Sequence, residues 1–317
     1  MVAYSDLYHT LYQQLGLEIC EKALHTQQHI LPLMWQKEPN CAEVFSSWIQ
    51  INNSTAKPGD KAPKEIPKEL LSNYTLTGRI PQMQWYWNEI FNEPNKKPLE
   101  WNQALLQNLI YLAATTQWEK FPYPEVQRSL KPALEKYLRP QQPQSHGLVI
   151  GSISPWVESL CLLNGAKSLL TAEYNPIHVT VPTLAVIHPL KMANNWEKYR
   201  QSFDFVVSYS SLEHSGLGRF GDRLDPWGDV REMQKTSCLV KDDGLVFVGI
   251  PSGEDVLAWN AGRMYGKVRW PIMAAGYKVL DTFCPNGNVQ SLTDLKSRDW
   301  SHQCTVVMKK RKREECS

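Results

Sequence analysis

A glutamate–histidine pair, Glu213–His214, runs into a glycine-rich stretch, Gly216-Leu-Gly-Arg-Phe-Gly221, and then into three aspartates, Asp222, Asp225 and Asp229. Histidine is the side chain best suited to take a proton near neutral pH, and a positioned carboxylate can do the same work. Glu213, His214 and Asp222 are therefore candidate catalytic residues for a reaction in which a hydroxyl or amine must lose its proton as it attacks. A histidine that only caps the loop by hydrogen bonding is the plainer alternative. The glycines tolerate positive φ and close approach to a ligand, and Arg219 among them offers a planar fork for a carboxylate or phosphate. Three aspartates suggest a hard cation, but Asp225 precedes Pro226 as a helix N-cap would, and Asp229 falls in a first helical turn where the dipole favours it. No metal site is expected here.

Such a loop needs a strand to present it, and Phe203–Ser210 (FDFVVSYS) reads as that strand. Gly147–Ser152, Ser168–Asn175, Leu184–Pro189 and Leu245–Pro251 read as further strands. Helical patterns lie between them at Pro155–Ala166, Leu190–Ser202 and within Asp225–Gly244. The alternation predicts an α/β fold with a doubly wound, Rossmann-like, mostly parallel sheet. Ala274–Phe283 and His302–Arg311 are strand-like without a helix-length pattern between them, which predicts an antiparallel last strand.

Ligands of doubly wound sheets lie beyond the carboxyl ends of the strands, at the point where strand order reverses. That rule selects Gly151, Ser152, Glu173 and Ser210 as candidate cofactor-binding residues. Gly151 permits close backbone approach and Ser152 offers a hydroxyl. Glu173, twenty-two residues past Gly151, can accept hydrogen bonds from both hydroxyls of a ribose. Asp204 opens its strand, far from that edge, and reads as structural. The three-glycine dinucleotide fingerprint is absent, which weakens a nicotinamide reading.

Residues 1–140 read as a mainly helical region, 141–310 as the Rossmann-like domain, and 311–317 as a basic tail. The first region carries helix-spaced Leu7, Leu11, Leu15 and Ile19, a polar proline-containing loop at Asn52–Glu69, and the aromatic run Gln84–Phe91. Those aromatics read as core anchors, with a substrate platform as the alternative. Arg139–Gly147 reads as a linker. The chain carries a net charge of +2 and the segment Lys309–Ser317 alone +3, so the body stands at −1. A near-neutral body argues against nucleic-acid binding. The tail reads as a solvated terminus, with a nuclear address as the alternative. No apolar run is long enough to span a membrane, and no secretory signal pattern opens the chain. Seven dispersed cysteines without a C-x-x-C pair fit a reducing, cytoplasmic setting without disulfides or zinc.

The five alternating units and the closing strand pair resemble class I S-adenosylmethionine (SAM)-dependent methyltransferases. More specifically, SSLEHSGLGRFGDRLDPWGD, GLVFVGIPSGED and WNAGRMYGKVRWP (Trp259–Pro271) resemble the signature of the Caenorhabditis protein of unknown function family, a methyltransferase-like group. The resemblance covers roughly Gly147 to Phe283. Asn260, Arg263, Tyr265 and Gly266 follow the family pattern, and Gly262 stands where a histidine is usual. The resemblance implies SAM as cofactor and methyl transfer to oxygen or nitrogen of a small polar or sugar-like acceptor. Arg219, Asn260, Arg263 and Tyr265 are then expected on the acceptor side. Two other readings stand beside it: a catalytically inactive scaffold whose Trp-rich helical part engages a protein, and, more weakly, an NAD-dependent sugar-modifying enzyme.

Overall fold

Seven of the chain's apolar runs lie side by side in one sheet of the computed structural model, which describes residues 2–19, 34–53, 61–87, 98–139, 144–287 and 289–311. Its strands are β1 (His146–Ile150), β2 (Ser168–Ala172), β3 (Leu184–Ile187), β4 (Phe203–Tyr209), β5 (Val240–Pro251), β6 (Tyr277–Phe283) and β7 (Gln303–Lys310). In space they run β3-β2-β1-β4-β5-β7-β6. Neighbours from β3 to β5 are parallel, whereas β7 is antiparallel to both β5 and β6. The order reverses between β1 and β4, and the fold class and the inverted final strand are as the sequence predicts.

The parallel strands are buried on both faces, which is why they read as continuous apolar runs rather than as alternating ones. Successive residues nevertheless enter different cores. Leu148, Val206, Val246 and Val306 face one core; Val149, Val207, Phe247 and Val307 face the other. On the first face pack α1 (Val2–Leu15), through Leu7 and Leu11, and α2 (Cys41–Asn52), through Phe45 and Trp48. On the second pack α3 (Gln103–Ala114), α4 (Leu130–Tyr137) and α5 (Trp156–Leu163). Helices α6 (Gly228–Leu239) and α7 (Arg269–Met273) return to the first face. The mainly helical region thus supplies cover to both sides of the sheet.

Several local expectations are corrected. The single helix expected over Leu190–Ser202 is two short ones, Pro189–Ala193 and Trp196–Tyr199. Between them the Asn194 and Asn195 side-chain amides donate to the Leu190 and Lys191 carbonyls at 2.8 and 2.9 Å. Asparagine side chains compete in this way with the helix ladder. Asp225 is not the N-cap of α6, since that position is Trp227. Its carboxylate instead accepts the Trp227 N–H at 3.0 Å and pairs with Arg231 at 2.8 Å. Lys309 and Lys310 belong to β7, within the strand-like run His302–Arg311 that the sequence indicates. The expectation of no disulfides is also corrected: packing of α2 on α6 joins Cys41 to Cys238, and Cys284 is bridged to Cys304. Partners 197 residues apart leave no spacing signal. Residues 54–60 of the polar loop, 88–91 of the aromatic run, 140–143 of the linker and 312–317 of the tail lie outside the described residues. Among the described residues no helix is long and apolar enough to cross a membrane.

Candidate functional site

The carboxyl ends of β1, β2 and β4 open into a cavity of about 650 Å³, within the range of small-molecule sites. Gly151, Ser152, Glu173, Ser210, Glu213, His214, Arg219 and Asp222 all border it. Asn260, Arg263 and Tyr265 do not; they are buried behind the wall.

At the end of β1, Gly151 adopts φ +70° and its N–H donates to the Ala172 carbonyl at 3.0 Å. A Cβ there would collide with the Ser211 hydroxyl, so only glycine lets β1 and β4 meet so closely. The Ser152 N–H donates to Glu173 Oε2 at 3.1 Å, and the Asn175 backbone and side-chain amides donate to Oε1 at 2.9 and 2.8 Å. A carboxylate has about four acceptor sites. Three are taken, so Glu173 has capacity for one ribose hydroxyl rather than both. Below this turn Glu158 lies wholly buried, bonded to the Ser152 and Thr171 hydroxyls at 3.1 and 2.7 Å. Desolvation pushes its carboxyl up to about 7.

At the end of β4, Ser210 takes φ +50°, unusual for a non-glycine residue, and its N–H donates to the Gly249 carbonyl at 2.9 Å. A short 3₁₀ turn, Leu212–His214, follows. Glu213 is 1% exposed, and neither carboxyl oxygen has a hydrogen-bond partner among the described residues. Desolvation pushes its carboxyl up to about 7, although the Ser210 hydroxyl, the Ser211 and Glu213 backbone and Arg219 lie near enough to oppose the rise in part. His214 Nδ1 lies 2.7 Å from the Ala261 carbonyl oxygen. A carbonyl only accepts, so Nδ1 carries the proton and Nε2, 3.6 Å from Glu213 Oε1, is the free lone pair. Burial, aided by Arg219, pushes this imidazole down to about 3. Of the two candidate bases, Glu213 is the one matched to neutral pH.

The glycine-rich loop is folded by Asp222, whose carboxylate accepts the Gly216, Gly218 and Phe220 amides at 2.7, 3.2 and 3.3 Å. Burial raises the Asp222 carboxyl and these amides oppose the rise. Asp222 therefore shapes the loop. Arg219 donates to the Ala261 carbonyl at 2.8 Å, and its guanidinium lies 4.7 Å from the centre of the Trp87 ring.

The residues behind the wall hold it in place. Arg263 donates to the Ser215 and Glu213 carbonyls at 2.8 and 3.3 Å. Asp229 accepts from Tyr265 and from Arg269 Nε, both at 3.0 Å, makes a second bond to Arg269 Nη2, and lies 3.7 Å from Arg263 Nε. Burial raises the Asp229 carboxyl, but Arg263 and Arg269 outweigh it and hold it below its usual value. Asn260 accepts the Trp87 N–H at 2.8 Å and so fixes the aromatic rim. Polar side chains of this kind carry no sequence mark that separates a cavity lining from a buried network.

Sequence reasoning missed the other half of the cavity. Trp48 donates to Glu232 at 3.0 Å, and Lys235 pairs with Glu232 at 2.7 Å while lying 3.6 Å from the centre of the Trp48 ring. The available signal was the apolar stripe of α2, which cannot distinguish core from cavity. Gly262 faces His214, since a Cβ there would meet Nδ1 at 3.3 Å. Elsewhere, Cys284, His302 and Cys304 bring three potential metal ligands together, with the two thiols joined.

The profile of the family described as Caenorhabditis protein of unknown function, DUF268, matches residues 144–312. No curated protein matches the chain. Among solved structures the chain is similar to the N-methyltransferase NodS from Bradyrhizobium japonicum WM9 with S-adenosylhomocysteine, at 12% identity and a TM-score of 0.40 over 65% of this chain and 97% of that one. It is similar to 1,6-didemethyltoxoflavin-N1-methyltransferase from Burkholderia thailandensis at 10% identity and 0.37, over 71% and 100%. It is also similar to putative Zn-dependent alcohol dehydrogenases from Rhodobacter sphaeroides at 10% and 0.36, over 57% and 88%.

Proposed function

This chain belongs to the Caenorhabditis protein of unknown function family, DUF268, and we propose that it is a SAM-dependent methyltransferase acting on oxygen or nitrogen of a small polar acceptor. The observation that carries the reading is the sheet order β3-β2-β1-β4-β5-β7-β6 with β7 reversed, and a cavity at its switch point. Ligands of doubly wound sheets occupy that position. The residues present fit the cofactor. Gly151, Ser152 and Ser210 border the same space, and the Glu173 carboxylate there has one acceptor site to spare for a ribose hydroxyl. The turn after β1 reads Gly-Ser-Ile-Ser-Pro-Trp, without the glycine spacing of a nicotinamide site. Bound SAM would supply an electrophilic methyl group.

The chain's own work is then alignment and exclusion of water. The loop from Glu213 to Asp222, braced from behind by Arg263 and from within by Asp222, covers the acceptor end of the cavity. Arg219 and Trp87 stand at its rim and orient the acceptor. Holding two reactants in line can supply much of a rate enhancement. Calorimetric titration of the whole chain with SAM, S-adenosylhomocysteine and NAD tests the reading. Binding of the first two and not the third is expected. Binding of NAD alone, or of none, overturns it.

A further inference from the structure

We propose that Glu213 is the counter-carboxylate for a positively charged, hydrogen-free centre held in the cavity, and that this centre is the sulfonium of SAM. The inference rests on the cofactor reading above. Its ground is an imbalance in the wall: a cavity-lining carboxyl, 1% exposed, with both oxygens lacking a hydrogen-bond partner among the described residues. Burying such a group unpaired is costly, and buried carboxylates are ordinarily paired. By contrast Glu173, at the same edge, has its oxygens tied by three N–H donors.

The position fits. Gly151 is pressed against Ser211, two residues before Glu213, so the carboxyl stands where the ends of β1 and β4 converge. Of the groups that face it, the Ser210 hydroxyl and the Ser211 and Glu213 backbone are neutral dipoles that oppose its rise only in part. His214 keeps its proton on Nδ1 toward Ala261 and is held neutral by burial and Arg219. Arg219 turns an N–H to the Ala261 carbonyl and stacks on Trp87. Arg263 is bonded to backbone carbonyls and lies beside Asp229. Burial raises the hydroxyls of Tyr123, Tyr209 and Tyr265, so they stay neutral and bring no charge of either sign. Without a ligand the carboxyl therefore holds its proton up to about pH 7. A sulfonium brings a positive charge into the cavity beside a carboxyl that Arg219 and the surrounding dipoles offset only in part.

Binding a cation next to Glu213 favours its ionised form, so binding SAM expels a proton to solvent. SAM affinity rises with pH and levels off above about 7. Below that value it falls about tenfold per pH unit until the carboxyl of the complex is itself protonated. S-adenosylhomocysteine lacks the charge and shows no such slope.

Calorimetry on the whole chain, in two buffers of different ionisation enthalpy around neutral pH, measures protons released with SAM and with S-adenosylhomocysteine. Subtracting the second removes protons common to both ligands, including any from Glu158. Release with SAM alone is expected, together with E213Q binding S-adenosylhomocysteine as the wild type does while losing both the excess proton and the slope for SAM. Retained homocysteine-ligand binding also reports that the variant is folded. Equal release with both ligands, or a difference that survives in E213Q, overturns the inference and leaves the cofactor reading standing. Binding of neither ligand overturns both.

Discussion

Adjacent residues in the 3₁₀ turn after β4 have opposite electrostatic fates for one reason. Burial disfavours charge, so it raises the Glu213 carboxyl to about 7 and lowers the His214 imidazole to about 3. At neutral pH the histidine is a fixed neutral donor to Ala261 rather than a base. An unfolded chain protonates this residue below about pH 6.5, while the folded one does not until about 3. The stability it contributes is therefore full above 6.5 and lost as pH falls toward 3. We expect the His214 ring-nitrogen NMR signals not to titrate between about pH 5 and 8. His214→Asn should flatten the acid limb of the stability curve by on the order of a few kcal/mol; a titration midpoint near 6.5 contradicts the assignment. The positions of Gly151, Glu173, Glu213 and His214 were legible in the sequence because each follows a recognisable strand, and strand ends meet at the switch point. Their protonation was not legible, because it depends on burial, and burial is decided by distant segments such as that carrying Ala261.

At the scale of elements, the Asp229 network ties α6 to α7 through Arg269 and to the end of the strand pair Val256–Asn260 and Gly262–Met264 through Arg263 and the following Tyr265. Asp229 fits its first-turn position, as the sequence indicates, yet its main partners are Arg269, Tyr265 and Arg263. Removing its charge strands a wholly buried guanidinium. Asp229→Asn should destabilise the protein by about 3–5 kcal/mol, measured by denaturant unfolding. The damage should also loosen the loop carbonyls that Arg263 holds. A loss below about 1 kcal/mol, the scale of an exposed pair, would contradict the network. Period and punctuation made the seven main strands legible. The strand Gln82–Trp85 was not, because it exists by pairing with Val256–Asn260, more than 150 residues later, and reads by itself as an aromatic cluster.

At the scale of the molecule, the composition shift near residue 140 reads as a domain boundary, and the helical region has packing on both sides of the sheet. Leu7, Leu11, Phe45 and Trp48 share a core with Leu148, Val206 and Val246. Leu106, Leu109, Leu130 and Leu134 share the other with Val149, Phe205 and Phe247. Both faces of a parallel sheet must be covered, and a composition profile shows the change of texture without showing that one region wraps the other. Each large buried apolar side chain contributes about 1.5–3 kcal/mol. Withdrawing eight of them removes about 12–24 kcal/mol, as much as or more than the 5–15 kcal/mol by which domains of this kind are ordinarily stable. It also leaves Cys238 without Cys41, whose bridge closes a loop long enough to contribute about 5 kcal/mol by chain-entropy arithmetic. We therefore propose that residues 141–310 are a topological unit but not an independent folding unit. Expressed alone, that fragment should aggregate or bind a hydrophobic dye without a cooperative thermal transition, whereas the whole chain should melt cooperatively. A soluble fragment that melts in one sharp transition and binds SAM would show instead that the helical region is an accessory to a self-sufficient sheet.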